Sequence, residues 1–462
     1  MKESNFSRRK FLTGAAAIGA VGAVGFNPLA SCTTGGGGSN TAASGGPFKQ
    51  LGDLFIPPML ETAPDGAPLK AGVIGCGGRG TGAALNFLSS GPNLTITAIG
   101  DVFQDRVDSC RAKIMEDFNI EVPQENCFVG FDNFEKVLAA DVDIVLLCTP
   151  PAFRPDHFEA AVNARKHVFM EKPVAVDPVG IRKVMATAKV AEGLGLKVVT
   201  GTQRRHQSDY IDIYKKVATG EIGDIISANA YWNQSKLWHR NSQADWSEME
   251  YMIRDWVNWL WLSGDHIVEQ HVHNIDVINW FTGTHPTKAV GFGSRQRRVT
   301  GDQFDNFSVD FVYDNGMHMH SMCRQINGCA NNVSEWIRGT KGSTNCVNKI
   351  YDVAGNEIYS HDYGTNEKGE ANRGPKVNPY VQEHINLVTC IRQDLPINEA
   401  EGTAISNMVA IMGRVSAYTG KEVTWDEMMN SDMKLGPTTF VMGDVGIVNT
   451  ATVPVAGEAS QD

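Results

Sequence analysis

Two places in the sequence combine residues able to move protons. At Glu171-Lys172-Pro173, directly after the apolar run from Val168 to Met170, a lysine stands where a strand should end. An ammonium group there can hold a substrate hydroxyl and stabilise the alkoxide that develops as hydride leaves carbon. The plainer role for Lys172 is an ion pair with Glu171. The second place is Gly264-Asp265-His266-Ile267-Val268-Glu269-Gln270-His271-Val272-His273-Asn274-Ile275-Asp276. If residues 265–280 form one helix, Asp265, Glu269, His273 and Asp276 share a face at i, i+4, i+8 and i+11. A histidine with a near-neutral pKa can then take the hydroxyl proton, and a neighbouring carboxylate can orient it and raise its pKa. The competing reading is a capped helix whose acids serve its N-terminal end. His266, His271 and His273 also suit zinc, but residues two apart on a helix point roughly 200° away from each other, so no metal site is expected.

A third constellation is the glycine loop Gly75-Cys76-Gly77-Gly78-Arg79-Gly80, which follows the apolar run Ala71 to Gly75 and opens a helix. Gly75 allows the tight turn, Gly77 lets backbone approach a pyrophosphate, and Gly80 lets the helix pack closely, its N-terminal N–H groups facing the phosphates. A second strand ends at Asp101, whose carboxylate would accept from the adenosine ribose hydroxyls and repel a 2′-phosphate. NAD is therefore expected over NADP. Arg79 and Arg106 are near enough in sequence to reach phosphate or ribose, with a solvated surface arginine as the alternative for each.

The elements that must position these groups alternate, as a parallel sheet with helical crossovers requires. Strands are expected at 71–75, 94–100, 144–148, 168–170 and 198–200, and helices near 82–90, 104–117, 133–140, 154–164 and 178–192. Further on, strands at 224–232, 287–298, 306–313 and 317–324, with the turn Asp314-Asn315-Gly316, predict a second domain with a mainly antiparallel sheet. Helices at 383–391 and 402–418 return after it, and the tail beyond Gly436 is irregular. The expected fold is thus α/β, a Rossmann domain over 69–203 followed by an α+β domain over 204–462.

Cys148-Thr149-Pro150-Pro151, His157 beyond it, Glu171-Lys172-Pro173 and the 264–276 segment together resemble the Gfo/Idh/MocA family, from about residue 69 to about residue 425. The resemblance implies a dinucleotide-binding Rossmann domain, an open-faced antiparallel sheet domain, and hydride transfer on polyols and sugars. It places Thr149 and Pro150 beside the nicotinamide side of the cofactor, with His157, Glu171 and Gln203 also on the cofactor side, and Lys172 between cofactor and substrate. Members commonly show an aspartate, a glycine two residues later, then a histidine, then an aspartate. Here Glu269, His271, His273 and Asp276 fill those positions, leaving His273 in register while changing the acid and the local backbone. Gln203-Arg204-Arg205-His206 resembles the segment at the active-site mouth. Arg254, Trp256 and Trp259 are expected to line a sugar site together with Asp265, His271 and His273, because flat ring faces stack on pyranose C–H faces; tryptophans Trp256, Trp259 and Trp261 at helical spacing are otherwise core.

The start of the chain reads as an address. Ser7-Arg8-Arg9-Lys10-Phe11-Leu12 has the twin-arginine form, the stretch Ala15 to Val24 is too short and too rich in small residues to span a membrane securely, and Leu29-Ala30-Ser31-Cys32 resembles a lipobox. Residues 1–32 are read as a lipoprotein signal with Cys32 lipidated, and 33–68 as a flexible tether and lead-in. Eight other cysteines show no CxxC pair, so no disulfide framework is expected. A formal net charge of -11 disfavours a nucleic-acid partner.

The expected protein is an exported lipoprotein oxidoreductase holding NAD tightly, since free NAD should be scarce outside the cytoplasm. It would oxidise a secondary hydroxyl of a sugar or glycoside, C3 being one candidate carbon, with Lys172, His273 and Glu269 as the catalytic group. The open sheet face would be covered in a homo-oligomer. Two other readings stand beside it. One is a redox-neutral glycosidase acting by transient C3 oxidation and elimination, although the family's glycosidases of that kind lack the lysine motif. The other is a non-catalytic sugar-binding lipoprotein, which has no need of a complete phosphate loop.

Overall fold

Near-continuous apolar runs separated by amphipathic ones demand a sheet buried on both faces. The computed structural model, which describes residues 55–366 and 368–457, contains that sheet. In chain order its elements are β1 (Leu69–Ile74), α1 (Gly78–Leu88), β2 (Leu94–Asp101), α2 (Gln104–Phe118), β3 (Cys127–Val129), α3 (Asn133–Ala139), β4 (Ile144–Leu147), α4 (Arg154–Asn163), β5 (His167–Met170), α5 (Pro178–Gly193) and β6 (Val198–Thr200). The strands are parallel in the order β3-β2-β1-β4-β5-β6. The order reverses beside β1, so the carboxyl ends of β1, β2 and β4 open the crevice where such sheets take ligands. The short β3 has a weak apolar signal, Cys-Phe-Val with a half-exposed face, and was not expected from the sequence.

The second domain begins with α6 (Ser208–Ala218) and β7 (Ile225–Gln234). A helical stretch follows: α7 (Glu248–Arg254), α8 (Leu260–Ser263), α9 (His266–Glu269) and α10 (Val272–Thr282). Then come β8 (Lys288–Ser294), β9 (Asn306–Val312), β10 (His318–Gln325), β11 (Asn332–Gly339), β12 (Gly342–Thr344), β13 (Lys349–Asp352) and β14 (Glu357–Ser360). The chain closes with α11 (Pro379–Arg392), α12 (Ala400–Thr419), β15 (Val423–Thr424) and α13 (Trp425–Asn430). The sheet order is β14-β13-β12-β11-β7-β10-β9-β8-β15, antiparallel except where β7 meets β10. Helices α10 and α12 cover one face, burying Phe307, Val309 and Phe311 of β9. On the other face Val290 and Phe292 of β8 are exposed, next to the His318–Asp310 pair.

Three expectations change. The strand expected to run to 298 stops at Ser294, because Asp305 accepts from the N–H groups of Gln296, Arg297 and Arg298 and turns the chain. Residues 204–462 are not one block: α11 packs on α1, β5 and β6, and α12 packs on α5. The lead-in is not loose up to residue 68 either, since Ala63 N–H donates to the Ser90 carbonyl at 2.8 Å and Arg392 donates to the Pro64 carbonyl at 2.6 Å. The Arg8-Arg9 motif, Cys32 and the run 33–47 lie outside the described residues. Among the described residues no helix is long and apolar enough to cross a membrane.

Candidate active site

The glycine loop is built as its residue types demand. Gly75 has φ +94°, and a Cβ there would sit 2.6 Å from the Thr149 nitrogen. A Cβ on Gly80 would run into the Gly75 carbonyl, so the first turn of α1 can lie against β1 only as glycine. A Cβ on Gly77 or Gly78 would meet nothing within 4 Å: the space above them is open, and it belongs to a cavity of about 560 Å³. Free N–H groups at a helix start, no side chain over them, and a carboxylate across the cavity at Asp101 together fit a dinucleotide.

Asp101 is mostly buried, with Oδ2 accepting from Cys76 N–H at 2.7 Å and Oδ1 from Phe103 N–H at 3.0 Å. Burial pushes its carboxyl up from the usual range, while these backbone donors and Arg106 pull the other way. It therefore holds the loop as well as facing the cavity. Thr149, Pro150 and Arg106 line the same space. So does His157, stacked on Phe134 at 4.4 Å and 3.3 Å from the Thr149 hydroxyl. Burial lowers the His157 pKa to about 4, so it is a neutral ring.

Arg79 and Glu171 are both expected on the cofactor: Arg79 lines the glycine-loop cavity and is also paired with Glu171, which does not line it. The Arg79 Nε donates to Glu171, its Nη2 lies 3.7 Å from the buried Glu383, and its guanidinium lies 4.7 Å from the Tyr380 ring centroid. The loop N–H groups stand in the same cavity beside the Arg79 side chain. The pairing with Arg79 also frees Lys172 from Glu171. The Lys172 ammonium reaches across to the second domain, donating to the Glu269 carbonyl at 2.5 Å and to its Oε1 at 3.2 Å. Behind it, Arg154, fully enclosed, donates to the carbonyls of Glu171 and Pro173 at 2.9 and 2.6 Å and fixes the backbone on both sides of the lysine.

The 264–276 segment is not one helix. Asp265 takes φ +71°, α9 ends at Glu269, and the His271 N–H donates to the His266 carbonyl five residues back, a wide turn that inserts a step before α10. The shared face is therefore split. Asp265 is fully buried, accepting from Phe304 N–H and Tyr418 O–H, and is a structural anchor rather than a substrate ligand. Asp276 grips Arg205 bidentately at 2.8 Å on each oxygen. His271 is fully buried with Nε2 2.7 Å from the Ser321 hydroxyl, so it too is removed from the substrate side. His266, His271 and His273 do not lie on one unbroken helix, since α9 ends at Glu269 and α10 starts at Val272. The break notwithstanding, the imidazoles face separate partners: His266 on Asp265, His271 on Ser321, His273 stacked on Trp232 at 5.6 Å. Among the described residues no group of three or more potential ligands is placed to hold a metal ion.

Among the described residues no carboxylate is paired with the His273 ring. Burial, then the positive charges of Lys172 and Arg204, hold its pKa well below the ordinary value, reversing the expected upward shift. Its Nδ1 has no hydrogen-bond partner in the described structure, and neither do Glu269 Oε2, Gln203 Oε1 and Trp232 Nε1. Arg204 stands 5.5 Å over the Trp232 ring and 2.7 Å from Glu335. Buried polar atoms are rarely left unpaired, so this group makes the surroundings of Lys172 and Glu269 a candidate ligand site. Arg204 belongs to the segment 203–206 expected at the active-site mouth, whereas Trp232 and Glu335 were not singled out from the sequence as ligand-side residues. The only signal for Trp232 was an aromatic pair, Tyr231-Trp232, on a strand, and Glu335 had none.

The remaining aromatic expectations divide. Trp259 is buried against Tyr251 in the core and cannot stack on a sugar. Arg254 and Trp256 do line a cavity, but it is the glycine-loop one: Arg254 pairs with Asp105 at 3.0 Å and lies 4.0 Å over the Phe103 ring.

Residues 69–198 match the family model described as an oxidoreductase family with an NAD-binding Rossmann fold, and residues 210–345 match the GFO/IDH/MocA C-terminal domain. The inositol 2-dehydrogenase of Salmonella typhimurium LT2 is 25% identical over 46% of this chain and 54% of its own length. The scyllo-inositol 2-dehydrogenase (NAD(+)) of Bacillus subtilis 168 is 22% identical over 60% of this chain and 72% of its own. The chain thus spans about half the length of the first of these relatives. Among solved structures, scyllo-inositol dehydrogenase from Lactobacillus casei with bound NAD(H) and scyllo-inositol superposes with a TM-score of 0.56 at 22% identity, covering 77% of this chain and 99% of that one. An oxidoreductase domain protein from Kribbella flavida gives 0.62 at 18% identity, covering 78% and 99%. These likenesses establish the shared fold.

Proposed function

Because the chain belongs to the Gfo/Idh/MocA family of oxidoreductases, we propose that it oxidises a secondary hydroxyl of a sugar, glycoside or cyclic polyol, using NAD held in the glycine-loop cavity. The observation that carries this reading is Lys172: fixed by Arg154, free of Glu171, and joined to Glu269 among unpaired polar atoms. NAD bound in the cleft would supply the acceptor for the hydride that leaves the carbinol carbon. The substrate hydroxyl takes the place of one Glu269 contact on the Lys172 ammonium, which holds the oxygen and stabilises its developing negative charge. His273, neutral because its pKa is depressed, accepts the hydroxyl proton. The C–H bond breaks as the C=O bond forms, and the proton remains on the imidazole until solvent or the reverse reaction removes it. Gln203, Arg204 and Trp232 offer the other hydroxyls their donors and a flat face.

Export through Arg8-Arg9, anchoring at Cys32 and a second copy of the chain on the Val290–Phe292 face belong to the same proposal. An exported enzyme would keep its NAD between turnovers and regenerate it in place with a second sugar.

Mass spectrometry of the purified protein after mild denaturation tests the cofactor: NAD or NADH is expected in near-stoichiometric amount. Asp101→Ala should retain much less, with affinity falling about tenfold or more, because a charge-assisted ribose contact and two backbone acceptor bonds are lost together. A parent protein that carries no dinucleotide and binds none by calorimetry would remove the basis of the reading.

A further inference from the structure

The cavity above the glycine loop has an outer wall that the Rossmann fold does not supply. Trp238, Arg254 and Trp256 come from the second domain, and Phe440 from the tail after α13. These residues share the cavity lining with Asp101 at the end of β2, Phe103 just beyond it and Arg106 in the first turn of α2, whereas Lys172, just beyond the end of β5, does not line this cavity. In this fold the carboxylate after the second strand marks the adenosine end of a dinucleotide. We infer that the tail segment Leu435–Val448 is a clamp on the adenosine half of the cofactor, with Phe440 as its contact residue. The inference rests on the dinucleotide reading above and adds to it a specific binding residue.

Three anchors make the segment a built wall rather than a stray tail. The Leu435 N–H donates to Asp177 Oδ2 at 2.8 Å, tying its start to the N-cap of α5. Glu248 at the head of α7 accepts from the N–H groups of Val445, Gly446 and Val448, and these donors hold its carboxyl below the ordinary value. The Met249 N–H donates to the Gly443 carbonyl at 3.0 Å. Between the anchors, Phe440 meets Phe153 edge-on at 4.9 Å and stacks on Phe131 and Trp261 at 6.2 and 6.1 Å. Phe131 and Phe153 belong to the loops after β3 and β4, and Trp261 to α8, so one side chain bridges both domains over the cavity. Anchors made mostly by the segment's backbone, with the Asp444 carboxylate accepting from the Glu248 N–H at 3.2 Å, fix where Phe440 stands.

The test uses the full chain. Release of NADH into excess NAD is followed by fluorescence for the parent, Phe440→Ala, Glu248→Gln and Val441→Ala, and calorimetry compares ADP-ribose with nicotinamide mononucleotide. Phe440→Ala should speed release about tenfold through lost apolar contact and weaken ADP-ribose while leaving nicotinamide mononucleotide unchanged. Glu248→Gln, remote from the cavity, should speed release through the loosened anchor. Val441→Ala, at a position 54% exposed, should behave as the parent. Parent-like release and parent-like ADP-ribose affinity in both Phe440→Ala and Glu248→Gln would overturn the clamp while leaving the dinucleotide reading intact. A parent that binds neither NAD nor ADP-ribose would instead overturn that reading, and the clamp with it. If Phe440→Ala does not fold, Glu248→Gln alone decides.

Discussion

Lys172→Met is expected to lower the rate of hydride transfer by ~10²–10⁴ while leaving the fold and the bound dinucleotide in place. The methionine keeps the length and apolar stem of lysine but has no ammonium, so the developing alkoxide loses its charged partner. The cavity over the glycine loop does not include Lys172, which is why cofactor content should hold. Glu269 Oε1 and the Glu269 carbonyl also lose a donor, which should cost some thermal stability. The measurements are single-turnover formation of enzyme-bound NADH and the dinucleotide content of the same preparation. Parent-rate turnover by Lys172→Met would make the lysine structural and its ion pair with Glu269 an end in itself.

His273→Asn should bring a loss of similar size, ~10²–10⁴, and its pH dependence separates a proton acceptor from a packing residue. A base works in its neutral form. Because burial and the charges of Lys172 and Arg204 hold the His273 pKa well below the ordinary histidine value, the ring stays neutral as pH falls through the usual range. Oxidation by the parent is therefore expected to be nearly level across neutral pH and to decline only in distinctly acid solution, as the ring is protonated. The limb should vanish in His273→Asn. His271→Ala should leave the limb in place, because its ring is bound to Ser321 behind the site, although the orphaned hydroxyl will reduce stability. A midpoint near the ordinary histidine value would mean that a carboxylate reaches the ring in the working enzyme, as the sequence alone suggested.

Why the sequence led one way and the structure another at this segment has a local cause. The spacing of Asp265, Glu269, His273 and Asp276 is correct for a continuous helix, and the one residue-type signal at the step, His271 where the family has glycine, pointed to a changed backbone without saying how. That step depends on tertiary partners: Ser321 draws His271 to the second sheet, and Phe304 and Tyr418 hold Asp265 in place. Long-range ion pairs were equally hidden. Arg79 lies ninety-two positions from Glu171, and Lys172 ninety-seven from Glu269, so neither pairing leaves a periodic trace. What was legible was what local chemistry dictates. The Gly75–Gly80 loop, the apolar runs of β1, β2, β4, β5 and β6, and the Asp314-Asn315-Gly316 hairpin each carry their own backbone requirement. Strands β12 to β14 were missed because three or four residues show no clear alternation, β11 because only Glu335 and Ile337 of its residues are buried, and Phe440 because an isolated aromatic in an irregular tail has no period at all.

The account's central claim is that a carbinol hydride passes to a dinucleotide held in this chain. The most direct measurement mixes the purified protein, with its NAD fully oxidised, with a panel of sugars and cyclic polyols carrying deuterium on their carbinol carbons. The released cofactor is then weighed by mass spectrometry. The account predicts deuterated NADH and the matching ketone from at least one member of the panel, with both absent in Lys172→Met over the same interval. Cofactor that stays oxidised and unlabelled with every polyol, in a protein shown to hold NAD, would contradict it.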